Sequence, residues 1–205
     1  MAFSIKDVEI LVKETVFQGF FRLTKVTLRH RLFKGGWSEP IERELFDKAS
    51  AAAAIVYDPV NDLIGLVEQF RVGMLESPNG PWALEGVAGM VDKAESTEAL
   101  ILREMKEEAG LSAAELIYIT GFYPTPGSCN EYCDLYCAIC DLSEAGGVYG
   151  LHEEGEDILF NVSPAEEVFD AMLNGRANNG ATLIGLQWLQ LNRNELREKY
   201  ATERP

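Results

Sequence analysis

Three glutamates, Glu104, Glu107 and Glu108, fall within five positions of the stretch GMVDKAESTEALILREMKEEAGL, residues 89–111. Residues three and four apart are neighbours on a helix, so Glu104 and Glu108 stack on one face, where like charges repel. A solvated acidic face is the ordinary explanation of such a run, and Arg103 and Lys106 stand close enough to soften the repulsion. No lysine or arginine lies between Glu104 and Glu108 on that face, however. The helix also follows VAGMVDKAE, a loop whose glycine lets backbone approach a ligand closely. Hard divalent cations prefer oxygen ligands, and Mg2+ combines a few carboxylates with waters and substrate phosphate oxygens. The grouping matches the ligand preference of a hard divalent cation better than it matches a plain solvated face.

The elements that must position these groups are legible around them. Ser96 is placed to cap the helix, Glu98 favours its first turn, and Gly110 ends it, with Leu102, Met105 and Ala109 as the apolar stripe. Ahead of it, VEILVKETVF, FFRLTKVTLRHRLF, IERELF, AAAAIVY and LIGLVEQFRV read as strands separated by Gly35-Gly36, Asp58-Pro59 and Asn61-Asp62 turns. Strands resume from about Glu115 to Ile139, broken by YPTPGSCNE. A capping box Ser163-Pro164-Ala165-Glu166 opens a second helix that stops at Gly175. A final amphipathic helix runs through ATLIGLQWLQLNRNELREKY, with Leu186, Trp188 and Leu189 facing the core. The expectation is an α+β chain with a small antiparallel N-terminal β lobe, residues 1–48, followed by an α-β-α sandwich domain, residues 49–205.

Composition narrows the function classes. The chain has 205 residues, 47% of them hydrophobic and 25% charged, which suits a folded soluble protein with one substantial core. A formal net charge of −15 argues against a nucleic-acid partner, and an acidic protein that handles phosphates must supply positive charge locally. MAFSIKDVEI shows no basic segment followed by an apolar run, and no apolar stretch is long enough for a bilayer, so a cytoplasmic protein with no membrane partner is expected. Cys129, Cys133, Cys137 and Cys140 lie within twelve positions but lack paired C-x-x-C spacing and a nearby histidine. Burial as small hydrophobes fits them better than zinc.

Residues 89–111 resemble the Nudix box, G-x5-E-x7-R-E-U-x-E-E-x-G-U, at every defined position, from Gly89 and Glu95 through Arg103-Glu104-Met105-Lys106-Glu107-Glu108-Ala109-Gly110-Leu111. The resemblance implies a Nudix fold, a mixed sheet between helices, and hydrolysis of a nucleoside diphosphate linked to another moiety. It implies Mg2+, with Mn2+ as an alternative, at two or three ions per active site, held by Glu104, Glu108 and the carbonyl of Ala88. Glu107 would lie close to the ions, while Arg103 and Glu95 would hold the loop and helix in shape.

Outside the box, Pro126 stands some fifteen residues further on, and GFFRL, RELF, EQFRVG, PWALEGVAGM, GLHEEGEDI and GLQWLQL are similar to bacterial ADP-ribose pyrophosphatases. That similarity implies hydrolysis of ADP-ribose to AMP and ribose 5-phosphate. Phe20 and Phe21 take the adenine-stacking position, and Arg43 and Glu44 reach the ligand from the N-terminal sheet. Lys48 stands where arginine is expected, Arg71 is the phosphate-binding candidate, and Met90, Thr125, Pro126, Gly127 and Glu131 line the ribose side. In GLHEEGEDI the resemblance implies a catalytic base at Glu154 and a further metal ligand at Glu156, with Glu153 and Asp157 as rivals. A homodimer is expected, the N-terminal lobe completing the partner's site. Two alternatives stay open at this point: another nucleoside diphosphate sugar such as GDP-mannose as substrate, and a non-catalytic ADP-ribose sensor.

Overall fold

A computed structural model describes residues 3–91 and 95–201; the side chains of Glu154 and Ala201 lie outside the described part. Two compact units emerge, one formed by residues 1–50 with 123–132 and the other by 51–122 with 133–205.

The first unit is a three-stranded antiparallel sheet of β1 (Val8–Gln18), β2 (Arg22–His30) and β3 (Ile41–Asp47), with β2 central. Only Thr24 and Val26 of β2 are buried within these strands, and β1 is exposed along nearly its whole length. The segment 123–132 belongs to this unit and packs on its strands. The physical reason is a set of polar ties: Phe46 N–H donates to the Ser128 carbonyl (2.7 Å), Lys48 N–H to Asn130 Oδ1 (2.8 Å), and Asn130 Nδ2 to Asp47 Oδ1 (2.7 Å).

In the second unit the strands are β4 (Ala51–Asp58), β5 (Leu63–Phe70), β6 (Trp82–Glu85), β7 (Val87–Met90), β8 (Glu115–Phe122), β9 (Cys133–Ile139), β10 (Gly147–Tyr149) and β11 (Ile158–Pro164). They form one mixed sheet ordered β10-β11-β5-β4-β9-β8. β6 adds to β5, β7 adds to β4, and β4 runs parallel to β9. The helix α1 (Thr97–Ala109) packs on one face through Leu100, Ile101, Met105 and Ala109. On the other face lie α2 (Ala165–Leu173) and α3 (Gly180–Ala201), through Val168, Phe169, Leu186 and Leu189. The alanine run of β4 suits this sandwich: Ala52 and Ala54 face α1, while Ala53 packs with Leu135 beneath Ala181 and Ile184. Small side chains at the centre let helices approach from both sides. The result is a mixed sheet between helices, the layering that the resemblance in residues 89–111 implies, and, in the first unit, a small antiparallel sheet.

Several local expectations resolve in detail. Ser96 Oγ accepts from Ala99 N–H (3.2 Å), and Gly110 closes α1 in the left-handed region (φ 66°). Leu102 is exposed, so the buried stripe of α1 runs through Leu100 and Ile101 instead. The capping box at Ser163 does not form. Ser163 pairs with Ile64 as part of β11, and α2 starts after Pro164 with no side-chain cap. All four cysteines are buried. Burial pushes the Cys137 and Cys140 thiols up to about 12, the behaviour of packed apolar residues.

Candidate active site

One strand and one helix build the acidic centre of the second unit. α1 carries Glu104 and Glu108 on the face turned to β7, and the backbone of β7 comes directly against them. Ala88 N–H donates to Glu108 Oε2 at 3.2 Å. A Cβ at Gly89 would lie 2.2 Å from Glu104 Oε1, so only glycine fits beside that carboxylate as it stands. Glu108 is 3% exposed. Arg103 gathers the other acids, reaching Glu107 at 2.6 Å, Glu104 at 3.0 Å and Glu95 at 3.2 Å. The predicted shape-holding pair Arg103–Glu95 is therefore formed, and Glu107, the box acid expected near the ions, sits in Arg103's grip.

Electrostatics show what the centre lacks. Burial pushes Glu108 up to about 8; the Ala88 N–H opposes this, Glu104 and Glu156 add to it, and Arg71 opposes it from a distance. Burial likewise raises Glu104 to about 7; Arg103 opposes, Glu107 and Glu156 reinforce. Two neighbouring carboxylates, one buried and one partly buried, resist ionising together unless opposite charge is supplied. Divalent cations fit that need, and the donor set here is all oxygen. Among the described residues no three His, Cys, Asp or Glu side chains close around one point.

Glu156 belongs to the same neighbourhood, since its charge is felt by both Glu104 and Glu108. Its loop is tied down by Leu151 N–H to Glu156 Oε2 (3.0 Å) and by Gly150 N–H to the Glu107 carbonyl (3.1 Å). Glu154 ends a short 3-10 turn, His152–Glu154, and its side chain lies outside the described residues. Arg71 follows β5, and its Nε donates to Glu85 Oε2 at 2.8 Å. Met90 closes β7 opposite Ala51 and is partly exposed.

The first unit brings several sequence-predicted residues together by itself. Arg43, Glu44, Pro126 and Gly127 line one cavity of about 300 Å3, with Lys13 and Ile10 beside them. The Thr125 carbonyl accepts the N–H groups of Ser128 and Cys129, forming the turn that carries Pro126 and Gly127. Lys48 is ion-paired with Glu131, and its ammonium stands 6.0 Å from the Phe21 ring. Phe20 is 83% exposed and packs edge-on against Phe21 (4.7 Å between centroids). Phe21 in turn leans on Phe46 at 5.0 Å.

Two residues near Arg71 were missed from the sequence, Glu85 and Asn179. Glu85 had a signal: a carboxylate inside the apolar run PWALEGVAGM must either end the strand or be paired in the interior. Asn179 had none beyond its place ahead of a helix.

A match to the NUDIX domain family model spans residues 47–183, two-thirds of the chain, and includes Glu104, Glu107, Glu108 and Glu156. The chain belongs to the Nudix family. It is 42% identical over 201 residues to the ADP-ribose pyrophosphatase of Haemophilus influenzae, covering 97% of this chain and 93% of that one. To the ADP-ribose pyrophosphatase of Escherichia coli K12 it is 38% identical over 201 residues, covering 98% and 96%. A GDP-mannose pyrophosphatase of Cronobacter sakazakii is 30% identical over 192 residues, covering 90% and 96%. A crystal structure of an ADP compounds hydrolase shares this Nudix protein's fold, with a TM-score of 0.68 at 21% identity, covering 93% and 98%. Among the described residues no helix is long and apolar enough to cross a membrane.

Proposed function

We propose that this Nudix protein hydrolyses the diphosphate of ADP-ribose to AMP and ribose 5-phosphate with Mg2+ as its cation. The observation that carries the reading is near-full-length identity of 38–42% to ADP-ribose pyrophosphatases, against 27–30% to GDP-mannose pyrophosphatases. Glu104, Glu108, Glu156 and the Ala88 carbonyl would hold two or three ions. Bound there, the ions supply positive charge against the diphosphate and acidify water. Mn2+ offers the same octahedral oxygen chemistry.

The chain's own residues divide the rest. Arg71 grips phosphate oxygens with the planar donor fork of its guanidinium. Glu154 takes the proton of the attacking water as its oxygen bonds to phosphorus and the bridging P–O bond breaks, a general-base role of about 10²–10⁴-fold. Arg103 fixes Glu107 at the rim and Glu104 in its rotamer. In the first unit, Phe20 and Phe21 offer ring faces for adenine, and Arg43 and Glu44, with the Thr125-Pro126-Gly127 turn, Lys48 and Glu131, provide polar contacts for the sugars. Met90 adds an apolar contact.

The protein is proposed to be a homodimer. Ile10, Leu11, Val12, Val16 and Phe17 are all at least 44% exposed along β1, an apolar surface of the kind that a second copy covers. A cytoplasmic location agrees with Cys137 and Cys140 as buried, inert thiols.

The test is hydrolysis of ADP-ribose, GDP-mannose and NADH in Mg2+ with product identification. ADP-ribose is expected to give AMP and ribose 5-phosphate with kcat/KM at least about tenfold above the others. A preference for GDP-mannose would replace the substrate while keeping the reaction.

A further inference from the structure

We infer that Glu85 and Asn179 are positioning residues that hold Arg71 in the orientation in which it grips the substrate diphosphate. This rests on Arg71 being a phosphate ligand, as proposed above.

The side chain of Arg71 is 43% exposed, and its guanidinium is held from the Nε edge. Its Nε donates to Glu85 Oε2 at 2.8 Å, and its two terminal nitrogens make no hydrogen bond among the described residues. One edge of the fork is anchored and the other is open, the arrangement a bidentate phosphate contact requires. Glu85, at the end of β6, is 5% exposed. Its second oxygen, Oε1, accepts from Asn179 Nδ2 at 2.8 Å. Both oxygens of the buried carboxylate are thus occupied by donors, and it cannot rotate without losing one.

Asn179 is itself locked. It lies just ahead of α3, and its Oδ1 accepts the Thr182 N–H at 3.2 Å as a helix cap. Thr182, 1% exposed, closes the ring by accepting Gly86 N–H on its Oγ1 at 3.0 Å. The amide of Asn179 therefore has one permitted orientation, oxygen to the helix and nitrogen to Glu85. The strap runs from the start of α3 through Glu85 to Arg71, joining residues 94 apart in sequence.

Stability alone does not account for this arrangement. A buried ion pair is commonly matched or exceeded in stability by apolar residues of the same shape, because desolvation offsets the attraction. What the strap does supply is direction. A free arginine side chain would lose rotamer freedom on binding phosphate, whereas one held by Glu85 has already lost it.

The polarity of the strap provides the test. Glu85→Gln places an NH2 group against Asn179 Nδ2, and Asn179→Asp places a carboxylate against Glu85; each single change breaks the same link. In the double variant the amide introduced at 85 accepts from Arg71 Nε and donates to the carboxylate introduced at 179. The other oxygen of that carboxylate still caps α3. With ADP-ribose and saturating Mg2+, each single variant is expected to raise KM about tenfold with kcat changed less than about threefold. Glu85→Gln/Asn179→Asp is expected to return KM to within about threefold of wild type, a coupling that independent sites do not show. Should a single variant fold poorly, the double variant, in which every polar group is again partnered, carries the test. Losses that simply add in the double variant, or a lowered melting temperature with KM unchanged, would overturn the inference. Arg71→Ala, measured in parallel, separates the two layers. If it leaves KM unchanged, the phosphate-binding role of Arg71 fails. If it raises KM while the Glu85 and Asn179 variants do not, only the positioning role fails.

Discussion

Replacing Gly89 with alanine adds one methyl group at the point where β7 meets the acidic helix. The new Cβ would stand 2.2 Å from Glu104 Oε1, 2.6 Å from its Cδ and 2.7 Å from its Cγ. Non-bonded carbons rest at about 3.5–4.0 Å, so the carboxylate has to withdraw by about 1 Å. The backbone at Gly89 is not in the left-handed region, so alanine meets no conformational strain there. Alanine also restricts the unfolded chain, a gain of about 0.4–1 kcal/mol that offsets part of the crowding. The group that must move is the carboxylate end of a partly exposed side chain, at the expense of its 3.0 Å contact with Arg103, and the fold should therefore survive. Activity should not. A displacement of about 1 Å in a reacting constellation costs on the order of 100-fold, which corresponds to about 2.7 kcal/mol of barrier. Steady-state kinetics on ADP-ribose across a Mg2+ series, with a melting curve for each variant, reads both quantities. The expected result is kcat/KM lower by about 100-fold, a higher Mg2+ requirement, and a melting temperature within about 3 °C of wild type. Kinetics close to wild type would refute the placement of Glu104 at the reaction centre. A collapse in melting temperature would refute the account of where the strain goes.

Three further outcomes are expected. Asp62 accepts from Arg193 Nε at 2.9 Å, and Arg193 and Arg197 both pair with it. The Arg193 hydrogen bond leads in holding its pKa below 3.8, against the opposing cost of burial. A depressed carboxylate contributes stability above its unfolded value and loses it as pH falls through the folded one. Asp62→Asn, which tolerates the φ of 60° at this position, should therefore cost about 2 kcal/mol at pH 7 and progressively less below pH 3.8. A cost that does not change between pH 7 and pH 3 in thermal unfolding would contradict the pairing. Glu154→Gln should lower kcat by about 10²–10⁴-fold with Mg2+ binding by calorimetry intact, whereas loss of binding would exchange its role with that of Glu156. Leu11→Asp, on the exposed apolar strand β1, should convert a dimer to monomers in sedimentation at micromolar concentration; an unchanged dimer would place the interface elsewhere.

The acidic helix could be read from the sequence because its information is local. Ser96 and Gly110 cap it through contacts within a few residues, and the carboxylate spacing places Glu104 and Glu108 together whatever surrounds them. The strands β6, β7, β10 and β11 could not be read this way. They are three to seven residues long, and β7 and β11 pair with β4 and β5 far back along the chain. Ser163 shows how a local signal loses: its pattern matches a capping box, yet pairing with Ile64 in the ladder holds it as strand. Segment 123–132 looks like a loop between two strands of the second unit, and it joins the first unit only through distant partners such as Phe46 and Asp47. Glu85 and Asn179 escaped for the same reason, because a strap between residues 94 apart leaves no periodic trace.

The claim beneath all of this is that Glu108, buried against the Ala88 N–H, is ionised by a captured cation that the reaction cannot do without. The measurement that tests it most directly is the kcat of Glu108→Gln at saturating ADP-ribose across a Mg2+ titration. The amide keeps the shape and the hydrogen bond from Ala88 but removes the charge. Turnover is expected to vanish at every Mg2+ concentration while the melting temperature is maintained; a kcat near wild type would contradict the account.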